Sequence, residues 1–283
     1  MRWLVAGAAG MLGQDLVALL RARDEDVVAA DRGTVDITDA DATARAVRGT
    51  DVVVNCAAWT AVDAAESQES DAFRVNAVGA AVLARAAHDA GARLVQVSTD
   101  YVFGGHAGTP YEDDAPIAPL SAYGRTKAAG EWAVRAEAPD HLIVRTAWLY
   151  GANGPCFPRT IARAARERGA LDVVDDQLGQ PTWTRDLADL VVRLVDAQAP
   201  AGVYHGTSSG QASWFEFARA VVGAAGLDPA IVSPSTSDAS ARPAPRPAYS
   251  VLGHASLRAA GVEPIGAWDS RWEEAASEVL AAG

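Results

Sequence analysis

At 283 residues the chain has room for one large α/β unit or two small domains, and 49% hydrophobic with 21% charged residues is an ordinary globular balance. A net charge of −12 argues against nucleic acid or an anionic membrane as partner, while leaving a phosphorylated small ligand open. No apolar run reaches the length of a membrane span, and the apolar start meets a glycine turn too early for a secretory signal, so a cytoplasmic location is expected.

Trp3 to Ala6 reads as a first strand, and Met11 to Arg23 as the helix that follows. Between them lies Gly7-Ala-Ala-Gly10-Met11-Leu12-Gly13. Glycine permits the tight turn and lets backbone approach a pyrophosphate, while the helix start offers free amides and a positive dipole end. Val27 to Ala30 is a second strand, ending at Asp31 and Arg32. An acidic residue there bonds a ribose 2′-hydroxyl and favours NADH, whereas the arginine binds a 2′-phosphate and favours NADPH. The two cues conflict and leave NADPH and NADH both open. Asp36 and Ile37 then fit either an adenine site or the approach to a helix cap.

Asp51 to Asn55 is a third strand, Arg93 to Ser98 a fourth and His141 to Arg145 a fifth. Helices are expected at Asp71 to Ala90 and Ser121 to Glu137. Valine-rich strands alternating with helices predict an α/β fold of Rossmann type, a doubly wound parallel sheet covered on both faces. Residues 1–150 are expected to form the dinucleotide-binding domain. Residues 151–283 are expected to be mainly a smaller substrate-binding portion, with segments around 171–200 returning to the sheet. In that portion helices are predicted at Pro158 to Arg168, Arg185 to Ala197 and Trp214 to Ala225, a strand at Leu171 to Val174, and a loop at Pro234 to Pro247. Cys56 and Cys156 have no metal or disulfide spacing, and no metal site is expected.

The fourth strand ends in Ser98-Thr99-Asp100-Tyr101, at the sheet edge where ligands bind in open α/β folds. Tyr123-Gly-Arg-Thr-Lys127 contains the only lysine among 24 lysines and arginines. One helical turn from a tyrosine, an ammonium favours the phenolate and lowers the tyrosine pKa. A tyrosine so tuned is a general acid or base. An exposed Tyr/Lys pair on a helix surface is the bland alternative; the singularity of the lysine, the glycine turn and Thr99 weigh against it.

Together these pieces resemble the extended short-chain dehydrogenase/reductase superfamily. Finer motifs resemble one branch, the dTDP-4-dehydrorhamnose reductases: Asn55 to Glu66, Ser98 to Gly104, Arg145 to Gly151, Asp176 to Thr182 and Arg246 to Ser250. The resemblance implies that Tyr123 donates a proton, that Lys127 holds the nicotinamide ribose and that Thr99 bonds the sugar oxygen or tunes Tyr123. It implies pyrophosphate contacts at Gly10, Met11 and Leu12, and a cofactor wall at Ala58, Trp59 and Thr60. A dTDP-sugar would meet Asp100 and Trp148, with Val62 nearby. Ala64 stands where the branch has lysine, Trp59 where it has tyrosine or histidine and Cys156 where it has asparagine, which puts the particular sugar in doubt. Asp15 is the one candidate for the branch's magnesium-linked homodimer, without a full carboxylate set. A 4-epimerase or dehydratase of the same fold is an alternative, although Tyr101 replaces the dehydratase glutamate. A non-catalytic dinucleotide-binding regulatory subunit is another.

Overall fold

The computed structural model describes residues 1–239 and 242–281. Six parallel strands form the central sheet: β1 (Arg2–Ala6), β2 (Asp26–Ala30), β3 (Val52–Asn55), β4 (Arg93–Thr99), β5 (His141–Thr146) and β6 (Gly202–His205). Their spatial order is β6-β5-β4-β3-β1-β2. The order reverses between β1 and β3, so the loops leaving those two strands diverge and open a crevice at the carboxyl edge.

The helices are α1 (Met11–Ala22), α2 (Ala40–Ala46), α3 (Val62–Ala65), α4 (Glu69–Phe73), α5 (Ala80–Asp89), α6 (Ala122–Glu137), α7 (Phe157–Arg168), α8 (Thr184–Asp196), α9 (Trp214–Ala224), α10 (Ala255–Ala259) and α11 (Trp268–Ala281). Alternate residues of each strand face opposite ways. Trp3, Val5, Val52, Val54, Val95, Leu142 and Val144 pack with Leu12, Leu16 and Leu20 of α1 and with Leu187, Val191 and Leu194 of α8. Leu4, Ala6, Val53, Leu94 and Ile143 turn the other way, onto Leu83 and Ala84 of α5 and Val134 of α6. Both sheet faces are therefore covered, which is why the strands are apolar throughout rather than alternating.

The expected helix from Asp71 to Ala90 is three pieces. Between α4 and α5 the ladder widens to a π-helical stretch over Arg74–Gly79. Such widenings cluster at functional sites. β6 is a sixth strand that the sequence reading does not contain; Val203-Tyr-His is too short and too polar at its end to signal one.

A second cluster joins Tyr150, Trp183, Phe217 and Trp272 beneath α7, α9 and α11. Of the segment around 171–200, α8 lies on the six-stranded sheet against α1, whereas Leu171–Val174 pairs with Val232–Ser235 in a two-stranded sheet of its own. The predicted loop from Pro234 thus begins inside a strand, and its residues 240–241 lie outside the described residues.

Candidate active site

The crevice at the switch point is a cleft of about 290 Å³, lined in part by Gly7, Ala9, Gly10, Cys56 and Ala57. Gly7 has φ +77°, and a Cβ there would stand 2.5 Å from the Ala57 amide nitrogen. Only glycine serves on both counts. A Cβ on Gly13 would run into the Gly7 carbonyl, so the third glycine lets α1 seat against the turn. Gly10 begins α1 with no side-chain cap, leaving the first-turn amides free for a ligand. Backbone at this range and uncapped amides fit the pyrophosphate of a dinucleotide.

Of the residues expected at a cofactor, Gly7, Gly10, Asp31, Arg32, Asp36, Ile37, Ala58 and Trp59 line this cleft. Met11, Leu12 and Gly13 do not: Leu12 is in the core, Met11 packs into the aromatic cluster under α7, and Gly13 seats against the Gly7 carbonyl. Thr60 is exposed beyond Trp59. Sequence reasoning missed Arg74, which lines the cleft beside Asp36. Asp36 is held below the usual carboxylate range by hydrogen bonds from Thr38, helped by Arg32 and Arg74. Asp31 Oδ1 accepts from the Gly33 and Thr34 amides, so the acid also closes its own turn.

Thr99, Tyr123 and Lys127 do not line this cleft; they lie next to it on a wall made of β4 and α6, where Tyr123 packs with Trp59 of the cleft lining. Ser121 caps α6 by accepting from the Gly124 amide at 3.1 Å, which sets the phase of the helix. Tyr123 and Lys127 then fall on one face, one turn apart, and both are buried against the carboxyl end of β4. Lys127 Nζ donates to the Val97 carbonyl at 2.7 Å. Burial pushes the ammonium down to about 8, against the pull of Glu131. The expected lowering of the Tyr123 pKa is corrected here. Burial raises it well above the ordinary phenol, a hydrogen bond with Thr99 opposes this, and Asp100 adds to the rise. Desolvation of the phenolate outweighs the Thr99 hydrogen bond, and the Lys127 ammonium is spent on the Val97 carbonyl.

Two supports hold this wall, and the sequence reading contains neither. Ile143 and Arg145 point toward α6, and Ser98 is the register partner of Arg145 on β4. Glu131, one turn beyond Lys127, meets both. It accepts from Ser98 Oγ at 2.6 Å and from two nitrogens of Arg145 at 2.9 and 2.8 Å. Both members of this ion pair are 1% exposed. The second support is Asn76, in the π-helical stretch. It accepts from the Trp59 amide at 2.8 Å and donates to the Trp59 carbonyl and to Thr126 Oγ1. One amide side chain thereby ties the loop after β3 to the helix carrying Tyr123.

Thr99 ends β4 and donates to Asp100 Oδ1 at 2.9 Å. The Asp100 carboxyl is buried and pushed up to about 6, against the pull of the Ser250 and Thr99 hydroxyls. The carboxyl is closed off from solvent, with the Thr99 and Ser250 hydroxyls as its polar neighbours. Tyr101 packs edge-on to Tyr123 with ring centroids 5.7 Å apart, and Val62 and Trp59 join them. Arg246 bridges over this corner to Asp63 at 2.7 and 3.0 Å. Trp148 stands further along, stacked on Trp214.

The thiol of Cys56 lies in the cleft with its pKa raised to about 12 by burial, so it is an unreactive wall. No group of His, Cys, Asp and Glu among the described residues is arranged to hold a metal. Asp15 is instead committed to Asn153 at 2.8 Å and Thr184 at 2.5 Å.

A Rossmann-type sheet, a glycine cradle at the switch point and a buried Tyr/Lys pair beside it define the short-chain dehydrogenase/reductase class. Residues 1–281 match the family described as RmlD substrate binding domain, and the chain belongs to it. It is 52% identical to a dTDP-4-keto-6-deoxy-D-glucose reductase of Streptomyces niveus, over 97% of this chain and 96% of that one. It is also 52% identical to a dTDP-4-dehydrorhamnose reductase of Streptomyces griseus, over 94% and 90%. Among solved structures, a dTDP-4-dehydrorhamnose reductase of Bacillus anthracis in complex with NADP superposes with a TM-score of 0.94, at 35% identity over 98% of this chain and 99% of that one. No helix among the described residues is long and apolar enough to cross a membrane.

Proposed function

We propose that the chain reduces the C4 ketone of a dTDP-6-deoxy-4-hexulose, giving dTDP-L-rhamnose or a related deoxysugar. NADPH or NADH, when bound, supplies the hydride. The observation that carries this reading is the burial of Tyr123 and Lys127 with Thr99 at the carboxyl end of β4, where Tyr123 packs with Trp59 of the glycine-cradle cleft.

Tyr123 is the general acid. A phenol whose pKa lies well above neutrality is fully protonated at working pH and delivers its proton as the C4 oxygen becomes an alkoxide. Thr99 shares the hydrogen bond at that oxygen, and Lys127 supplies a fixed cation near the cofactor ribose. Gly7 and Gly10 bring backbone to the pyrophosphate, with the amides of Met11 and Leu12 in the first turn. Gly13 seats α1 against that turn. Asp31, Arg32, Asp36 and Ile37 border the adenosine end, and Ala58, Trp59 and Thr60 lie along the loop after β3. Asp100 faces the sugar, with Trp148 and Val62 as walls. The setting is the cytoplasm.

Two relatives at equal identity carry different sugar names, so similarity alone does not choose the hexulose. The test mixes the protein with dTDP-4-dehydrorhamnose or dTDP-4-keto-6-deoxy-D-glucose and reduced cofactor. Loss of the reduced-nicotinamide absorbance is expected, and its absence beside a working control rejects the proposal. Tightly retained oxidised cofactor, with no net consumption of the reduced form, would indicate a 4-epimerase instead.

A further inference from the structure

Trp148 is held in a way its sequence motif does not explain. Its backbone is left-handed, φ +47°, a region that bulky residues rarely enter. Its indole lies face to face on Trp214, with ring centroids 3.6 Å apart and planes 8° from parallel. Phe157 backs Trp214 at 4.5 Å. On another side is Gly179, where a Cβ would run into the Trp148 ring.

These contacts are built by one device. Ala212 and Ser213 pair antiparallel with Leu178 and Gly179, which brings the start of α9 against the Gly179 backbone. Ser213 then caps α9 in a reciprocal capping box with Glu216, so Trp214, the first helical residue, has a fixed direction. The Thr182 amide donates to the Trp148 carbonyl at 3.3 Å and completes the frame. Both indoles remain half-buried, so the pair borders open space and is not sealed in the core. A strained backbone persists only where the surroundings over-determine it. Here the surroundings are a stacked ring on one side and a missing side chain on another.

We infer that Trp214 and Gly179 are positioning residues for sugar-nucleotide recognition, acting through Trp148. Trp214 fixes the plane of the Trp148 indole, and Gly179 leaves the space that plane requires. This deepens the proposed function and rests on it for the identity of the ligand. The sugar nucleotide thus meets an aromatic wall assembled from three segments, around 148, 179 and 214, the last two from the C-terminal portion.

The test is calorimetric binding of dTDP-glucose, which lacks the keto group and does not turn over. The proteins are the wild type, Trp148→Ala, Trp214→Ala, Trp214→Phe, Gly179→Ala and the double variant Trp148→Ala/Trp214→Ala. Expected is a loss of about tenfold or more in dTDP-glucose affinity for Trp214→Ala and Gly179→Ala, with Trp214→Phe within about threefold of wild type. The double variant should bind no more weakly than Trp148→Ala, because Trp214 has nothing left to position. NADPH affinity, read on the same samples, should stay unchanged. Gly179→Ala deletes no core aromatic, so it decides the matter even if Trp214→Ala does not fold. Wild-type affinity in Gly179→Ala, additive losses in the double variant, or parallel loss of NADPH binding would overturn the inference. A wild type that binds dTDP-glucose with this pattern but never consumes NADPH would refute the reductase reading and leave the positioning role standing.

Discussion

The two walls of the crevice are made of different material. The cofactor wall is mostly backbone: a glycine turn, uncapped amides at the start of α1 and the loop after β3, drawn from a few contiguous stretches. The opposite wall is side chains carried in from far apart and locked by an ion pair, an amide tie and a ring stack. A backbone wall tolerates changes that leave glycine alone. A side-chain wall is only as exact as its supports, so the supports are where the contrast can be broken.

The largest effect should come from Arg145→Leu. It leaves Glu131 as an uncompensated buried charge, which costs about 3–5 kcal/mol of stability in such pairs. Urea unfolding measures the loss, and adding Glu131→Leu should recover most of it. An unchanged midpoint in the single variant would mean that the side-chain wall does not depend on this pair.

Tyr123→Phe comes next. Turnover should fall about 10²-fold or more, equivalent to roughly 2.7 kcal/mol, with cofactor binding intact. A joint loss of both would deny that the walls act separately.

Acid should then weaken the fold outside both walls. His205 and His254 are buried, and desolvation pulls both down to about 4. Their pKa values are depressed on folding, so the stability they contribute is present above pH 6.5 and lost as pH falls toward 4. Asp100, raised to about 6, works the opposite way: its contribution is present at low pH and is lost as pH rises through 6. Two histidines against one carboxylate leave a net loss of about 3 kcal/mol between pH 7 and pH 4.5. A midpoint that rises on acidification would contradict this.

The smallest effect is expected at Arg246→Ala. The Arg246–Asp63 bridge is partly exposed, which limits its worth to about 1 kcal/mol or less. A larger drop in melting temperature than that implies would make the bridge a structural clamp.

The same contrast decides what could be read before folding. Gly7, Gly10 and Gly13 are legible because spacing alone states what a turn needs. Tyr123 and Lys127 are legible because four residues make one helical turn. The sheet followed from valine-rich runs, but β6 did not, since its pairing with β5 settles a segment whose composition does not. Asn76 looks like any polar residue in an alanine-rich helix until Trp59 is beside it. Glu131 and Arg145 are 14 residues apart, and only the register of β4 against β5 brings Ser98 between them. Trp214 and Trp148 have no sequence relation at all. The expected effect of Lys127 on Tyr123 failed for a related reason: helix geometry gives proximity, whereas burial, which the sequence does not display, sets the balance of charge.

Lys127 has a practical corollary. Among these 283 residues amine-selective reagents find one lysine side chain, Lys127. The ε-amine is packed beneath β4 and bonded to Val97. Acylation there requires the crevice to open, so the mass gained on the peptide containing residue 127 becomes a clock for breathing of the active site, readable without any substrate.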